Sequence, residues 1–444
     1  MDDPSPVLPE QPEHSVPGKS VPRLRRPQRQ QAVMICESLD QRIEADHPVR
    51  NVWTFVEQLD LKPLLDRIKA VKGHVGRNAN DPRLLLALWL YASIEGVGSA
   101  RELTRLCVDH RAFAWLCGGV GVNNHTLADF RVQHGEFLEK LFAQSIASLT
   151  HEGLVDVNLV AQDGMRIRAS AGSDSFRREA TLTEHLQEAE AHLAKLKTEM
   201  ELNPNQLDAR RKAAQMRAAT ERQQRLTQAV VQVQEMATTR EKRKAGDGES
   251  TRASSTDPEA RRMKMPDGGT RPAYNAQFAT AVNSGVIVGV DATNAGNDAN
   301  ALEPMLDTIQ DNTGQVPEAM LADGGYGTRN NVDVANTRGT VLYSTVREEQ
   351  KQLDAGKDPY APRKGESPAM AAFRARMGQA ESKELYKRRG ESAEWVNASA
   401  RRHGLYMLQV RGIQKVKAVL LIFALAHNLQ RAAALRAERE AVGK

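Results

Sequence analysis

The sequence predicts a mixed α/β sheet domain with an N-terminal all-helical domain and an inserted antiparallel helical hairpin, and three observations predict it. Residues 46–149 carry apolar side chains at helical spacing, in WTFVEQLDL, PRLLLALWLYASIEGV and SARELTRLCVDHRAFAWLCGG. After residue 158 short apolar runs alternate with helical stretches, and two of these runs lead into Asp163 and Asp323, each followed by glycine. Between them Leu182, Leu186, Ala189, Leu193, Leu196 and Met200 step by 4, 3, 4, 3 and 4, a heptad seam that lets two helices satisfy each other outside the domain core.

Composition narrows the class. A chain of 444 residues is long enough for a substantial core. Its net charge of +5 and pI near 9.0 suit a partner that carries phosphate. Cys36, Cys107 and Cys117 are an odd number without C-x-x-C spacing, which argues against a disulfide framework and a thiolate zinc site. The Pro-rich start ends in RLRRPQRQ and lacks an apolar signal core. The apolar runs 84–92 and 419–426 are far shorter than the roughly 20 residues that cross a bilayer, so the expectation is a soluble, cytoplasmic protein with no membrane partner.

In order, residues 1–40 read as a disordered basic and Pro-rich arm, and 41–150 as a helical domain. Within it Ser99 stands three before Glu102, the spacing of a capping box, and Gly118-Gly119 close the helix. The NNHTLADFR segment then opens a penultimate helix after a turn, a helix-turn-helix-like arrangement that suits a DNA-binding domain. Residues 151–180 and 273–431 form the sheet domain. Its first part, NLVAQDGMRIRAS, reads as a hairpin-like strand pair with Asp163 at the turn. The helical hairpin spans 181–245, with Asn203-Pro204-Asn205 breaking it, and is either an arm for DNA or a second subunit, or a solvated spacer. A linker loop over 246–272 returns the chain to the sheet, where YNAQFATAV and GVIVGVDATNA pair through Asn283-Ser284-Gly285. A helix bearing Leu302, Met305, Leu306 and Ile309 on one face follows, then the strand ending at Asp323, a short helix, the strand TVLYSTV, and helices to a charged tail at 432–444.

Three carboxylates, Asp163, Asp323 and Glu394, are too far apart in sequence for anything but folding to join them. Phosphoryl transfer with two divalent cations uses such a trio, because hard oxygen ligands suit Mg²⁺ and no histidine is required. On an α-helix advancing about 100° per residue, Arg401 shares the face of Glu394, Tyr386 falls roughly 80° away and Arg389 roughly 140° away. Glu391 is the runner-up acid. Asp291 and Asp298 read as flanking a loop with an N-capping aspartate. His427-Asn428 reads as a satisfied helix end, and Tyr274 and Asn275 as structural strand residues.

The tyrosine, arginine, glutamate and basic residue in ELYKRRGESAEWVNASARRHG resemble the C-terminal signature of DDE transposases from bacterial insertion sequences, in the group related to insertion sequences four and five. QDGMRIRAS is similar to that group's first-aspartate motif and LADGGYG to its second. DPEARRMK, YNAQFATAV and VRGIQKVKAVLLIFALAHNLQR resemble the branch named insertion sequence eleven-eighty-two, and the likeness covers residues 40–431. Arg401 stands where lysine is commoner, Trp395-Val396 replaces a Pro-Phe-type pair, and Gly325 replaces alanine.

The resemblance implies an RNase H-like catalytic fold with Asp163, Asp323 and Glu394 as catalytic metal ligands. It implies Tyr386, Arg389 and Arg401 beside the DNA backbone. Two Mg²⁺ ions, or Mn²⁺ in their place, are the expected cofactors, and double-stranded DNA, both element ends and target, the expected partner. Because an element has two ends, a homodimer or larger assembly on DNA is expected, in the bacterial cytoplasm and on the nucleoid when bound. The alternatives are an RNase H-like nuclease and an inactive DNA-binding derivative.

Overall fold

The computed structural model describes residue 30 and residues 36–70, 78–202 and 209–442. Most of the N-terminal arm, and the Asn203-Pro204-Asn205 break, lie outside the described residues.

Seven helices come first: α1 (Pro48–Glu57), α2 (Lys62–Leu65), α3 (Pro82–Ile94), α4 (Ala100–Asp109), α5 (Arg111–Cys117), α6 (Asn124–Gln133) and α7 (Gly135–His151). Side-chain oxygens cap α3, α4 and α6: Asp81 accepts from Arg83, Ser99 from Glu102 and Asn123 from Thr126. The stretch 99–117, expected as one helix, is two. Leu103 and Cys107 face the core in α4, but the next core residues are Ala112 and Phe113, out of phase with that stripe. The chain therefore passes through extended backbone at His110 and restarts as α5.

The sheet has six strands. They are β1 (Leu159–Arg168), β4 (Arg261–Lys264), β5 (Thr270–Ala281), β6 (Ile287–Thr293), β7 (Ala319–Ala322) and β8 (Val341–Tyr343), while β2 (Phe176–Arg177) and β3 (Ala253–Ser254) make a separate short ladder. β1 is antiparallel to β5 and parallel to β7, and β7 is parallel to β8. The other edge of β5 carries β4 along its first residues and β6 along the rest, both antiparallel. The stretch 246–272, expected as a linker loop, thus holds two strands and the start of β5.

β1 corrects the expected hairpin at Asp163. It is one continuous strand that pairs with β5 from Val160 opposite Ala281 to Arg168 opposite Ala273. The Asp-Gly pair makes no turn here. Gly164 serves close packing instead, since a Cβ there would stand 2.3 Å from Asp298 Oδ1 and 2.5 Å from Gln277 Nε2.

Between β2 and β3 run α8 (Glu179–Leu202) and α9 (Ala209–Arg243), packed on each other around Leu182, Ala189, Leu226, Ala229 and Val233. After β6 come α10 (Leu302–Thr313), α11 (Arg329–Thr337), α12 (Glu349–Asp354), α13 (Pro368–Met377), α14 (Ala380–Arg389), a five-residue π-turn (Gly390–Glu394), α15 (Trp395–Arg402) and α16 (Ile413–Val442). Leu302, Met305, Leu306 and Ile309 are fully buried, as their spacing predicts.

One hydrophobic core runs from Ile43 in the helical region through the sheet to Ala432. α16 is its axis, packed on α3, α6, α7 and β6. That helix is long and apolar enough to cross a membrane by length and composition, yet most of its apolar stretch is buried inside the protein. Residues 432–442, read as a charged tail, continue it as helix.

Candidate active site

The two aspartates meet through strand register. In the parallel pair the last rungs set Ala161 opposite Leu321 and Gln162 opposite Ala322. Asp163 and Asp323 are the next residue on each strand, so both stand just past the point where β7 ends. Asp323 then enters a tight turn in which its Oδ1 accepts the Gly325 amide at 2.8 Å and Ser344 Oγ donates to its carbonyl at 2.6 Å.

Asp163 is held from three sides. Its Oδ1 accepts the Gly164 amide at 2.9 Å, its Oδ2 accepts Asn397 Nδ2 at 3.0 Å, and Arg389 Nη1 lies 3.5 Å from that same oxygen. Burial pushes its carboxyl up to about 6; Arg389 opposes this, Asp323 adds to it, the Gly164 amide opposes it and Asp298 adds a little more. A low-dielectric pocket with converging carboxylates favours any added positive charge.

Arg389 supplies some of that charge. Its other terminal nitrogen pairs with Glu394 Oε1, so one guanidinium bridges Asp163 and Glu394. An unbroken α-helix would hold Arg389 roughly 140° from Glu394. The π-turn between them corrects that expectation, because i→i+5 winding fits about one extra residue into the turn and brings the two onto one face. The guanidinium keeps its proton more firmly than usual: burial works against the charge, but Tyr386, Asp163, Glu394 and Asp323 together outweigh it.

Tyr386 is partly buried, with the Arg389 guanidinium 5.8 Å from its ring centroid, and its hydroxyl is pushed up chiefly by burial and, after the opposing Arg389, by Asp323. Arg401 lies exposed near the end of α15, and Glu391 is exposed on the π-turn. Glu394 is also open to solvent, with 55% of its side chain exposed against 16% for Asp163. The structure therefore joins Asp163, Arg389 and Glu394 by direct contact and places Asp323 beside Asp163 by register. Arg401 stands outside that contact set.

Among the described residues no three His, Cys, Asp or Glu side chains are gathered tightly enough to hold an ion. The donor set nevertheless fits a hard divalent cation. It is all carboxylate oxygen, and the groove between Asp163 and Glu394 is one that a cationic group, Arg389, already bridges.

Two contributors escaped the sequence reading. Asn397, three residues after Glu394 and so on its face, is buried and donates to Asp163. Asp298 caps no helix: the N-cap of α10 is Ala301, without a side-chain bond. Asp298 instead accepts the side-chain amides of Asn275 and Gln277, so Asn275 belongs to the surroundings of the site. Tyr274 is structural as expected, its hydroxyl donating to buried Asp257 at 2.7 Å. His427 and Asn428 are structural too, though mid-helix, where Asn428 exchanges two hydrogen bonds with the Ile287 backbone at 2.8 Å each.

Comparison with known proteins bears on both halves of the chain. Residues 37–133 match the family described as Transposase domain (DUF772), and residues 238–429 match the family described as Transposase DDE domain. The second match takes in Asp323 and Glu394 and begins after Asp163, near the end of α9. No curated protein and no solved structure matches the chain.

Proposed function

We propose that this chain, a transposase of the DDE class, cuts at the terminal inverted repeats of its own insertion sequence and joins the freed 3′ ends to target DNA. The observation that carries the reading is the placing of Asp163 and Asp323 one residue past the last rung of adjacent parallel strands, with Arg389 linking Asp163 to Glu394. Strand order β6-β5-β1-β7-β8, antiparallel and then parallel, supports an RNase H-like sheet with these acids at one end.

DDE transposases generally use divalent metal ions. Asp163, Asp323 and Glu394 would hold two of them, Mg²⁺ or Mn²⁺, which when bound supply Lewis-acid charge on the phosphate oxygens and acidify the attacking water. The rest falls to the chain. Asn397 and the Gly164 amide orient Asp163, leaving its charge directed at the groove. Arg389 neutralises Asp163 and Glu394 before substrate arrives, and with Tyr386 and Arg401 it then faces the phosphate backbone.

In the first step water attacks a phosphodiester at the element end, the bond from phosphorus to the 3′ oxygen breaks, and a 3′ hydroxyl leaves. In the second, that hydroxyl attacks a phosphodiester of the target in the same way. Neither step passes through a covalent enzyme intermediate. Residues 41–150 supply a DNA-binding domain, and the 181–245 hairpin an arm through which two copies pair the two ends on the nucleoid. The branch named insertion sequence eleven-eighty-two is the one whose motifs the chain most resembles.

The test is cleavage and joining of labelled element-end DNA with Mg²⁺, comparing the intact protein with Asp163→Asn, Asp323→Asn and Glu394→Gln. All three substitutions are expected to lower both steps by at least about a hundredfold while end binding persists. Cleavage retained in Glu394→Gln would move the third acid to Glu391. Cleavage without joining would make the protein a nuclease, and binding without cleavage under any divalent metal would make it a DNA-binding derivative.

A further inference from the structure

Asp298 lies in the loop between β6 and α10, outside the three-carboxylate set. Its Oδ1 accepts Asn275 Nδ2 and Gln277 Nε2, both of β5, at 2.6 Å each. That fixes the Gln277 amide, whose Oε1 then accepts the Tyr326 hydroxyl and, at 3.0 Å, Gln162 Nε2. Gln162 also donates to the Ala301 carbonyl at 3.0 Å. Gln162, Asn275, Gln277 and Tyr326 are all exposed by 1% or less, so these bonds are made without competing water.

The frame grips the site at two places. Gln162 and Gly164 flank Asp163, and Gly164 packs so close to Asp298 Oδ1 that no side chain fits there. Tyr326 follows Asp323 by three residues and donates its amide to the Asp323 carbonyl at 3.1 Å. Asn275 keeps its amide nitrogen on Asp298 even though its own Oδ1 is left buried without a partner. Only an acceptor at 298 orders the amides this way round, since Asn and Gln present donor and acceptor alike.

We propose that Asp298 is a positioning residue: by fixing Gln277 and Tyr326 it holds the strand of Asp163 and the turn of Asp323 at one spacing. This rests on the three-carboxylate reading of the site. One oxygen of Asp298, Oδ1, accepts both amides, and that shared acceptor is what admits one arrangement of the network rather than several.

The experiment compares the full chain with Asp298→Ala and Asp298→Asn, at a temperature where each is folded. Backbone hydrogen exchange is read at residues 162–165 and 323–327, and Mn²⁺ binding, with the metal alone, by calorimetry. Asp298→Ala is expected to speed exchange at both stretches about tenfold or more. It is expected to weaken Mn²⁺ binding by about tenfold or more, the usual cost of losing a group that orients a ligand. Asp298→Asn keeps an oxygen for both amides and restores exchange and binding to within about threefold of the intact protein.

A lowered melting midpoint in Asp298→Ala with unchanged exchange at 323–327 and unchanged Mn²⁺ affinity overturns the proposal, as does an equal loss in the Asn and Ala variants, which would assign the effect to charge. An intact protein that binds no Mn²⁺ counts against the two-cation function, while the exchange pattern still decides the role of Asp298.

Discussion

At the scale of single residues, burial sets the charge state of the two titratable groups that matter most, and it does so with opposite signs. Asp163 is pushed up to about 6 by burial, opposed by Arg389 and assisted by Asp323. His427 is pushed down to about 4 by burial, against the help of the Gly285 carbonyl that its Nε2 meets at 3.0 Å. The neutral His427 ring packs edge-on against Trp395, 5.3 Å between centroids, and beside Phe423. An unfolded chain takes up this proton near 6.5 and the folded one only near 4. Stability from His427 is therefore complete above pH 6.5 and is lost as pH falls toward 4, by about 2 kcal/mol between pH 7.5 and pH 5. Asp163 contributes in the other direction over part of that range, being favoured by acid, so the two must be separated. Urea unfolding at both pH values, on the intact protein and on His427→Gln, does so: the pH difference should shift by about 2 kcal/mol between them. An identical pH difference in both proteins would mean that the folded ring takes up its proton at the same pH as the unfolded one. These examples also mark what single residues disclose in a sequence. His427-Asn428 sits in an apolar run and reads as structural, and it is. Asp298 does not disclose its partners, because Asn275 and Gln277 reach it only once β5 and β6 are paired.

At the scale of elements, pattern reveals periodicity but not the interruptions that aim side chains. The buried positions Met165, Ile167 and Ala169 were legible as a strand, whereas the Asp163-Gly164 pair looked like a turn because turns and close approaches both select glycine. The strand ending at Asp323 was legible because a short apolar run stops where its glycines begin. The C-terminal signature was legible in composition but not in phase. Angles counted on a regular helix separate Arg389 from Glu394, and only the π-turn at Gly390–Glu394 joins them. Removing Gly390 tests that turn. The deletion lets α14 run into α15 as ordinary α-helix and leaves Arg389 four residues before Glu394, about 40° round the helix and still on its face. Glu394 keeps its place on α15, where Val396 and Ala400 are fully buried, so the melting midpoint should fall by no more than about 5 °C. Cleavage should stay within about tenfold of the intact protein, because Arg389 still reaches Glu394 from the same face. A loss of about a hundredfold or more with the fold intact would show that the extra residue of the π-turn, and not the shared face alone, sets the bridge from Glu394 to Asp163.

At the scale of the whole molecule, core and excursion are separate. The main core joins residues from α1 to α16, and α16 touches both the helical region and the sheet. Among the described residues the pair α8 and α9 contributes none to it. Its buried residues, Leu182, Ala189, Leu226, Ala229 and Val233, close on one another and on Ala253 of β3. The base of the pair is pinned by the β2–β3 ladder, where Phe176 faces Ser254 and Arg177 faces Ala253, with Ser175 Oγ and Ser254 Oγ 2.7 Å apart beside it. A short Gly/Ser linker in place of residues 179–243 would leave that ladder in position and remove the satellite core together with the hydrogen bond that Gln232 accepts from Arg261 of β4. Loop-closure entropy changes slowly with length, so the exchange itself costs the fold little. The shortened protein is expected to unfold in one transition, with its midpoint within about 5 °C of the intact chain, and to retain cleavage of single element ends. Pairing of two ends into one complex, read by gel mobility with two DNA lengths mixed, should be lost if the arm joins subunits. A shortened protein that is insoluble, or that unfolds well below the intact chain, would show that the excursion is part of the fold. Pairing that survives would return the arm to the role of a spacer and move the subunit contact to the helical region around α1 to α7.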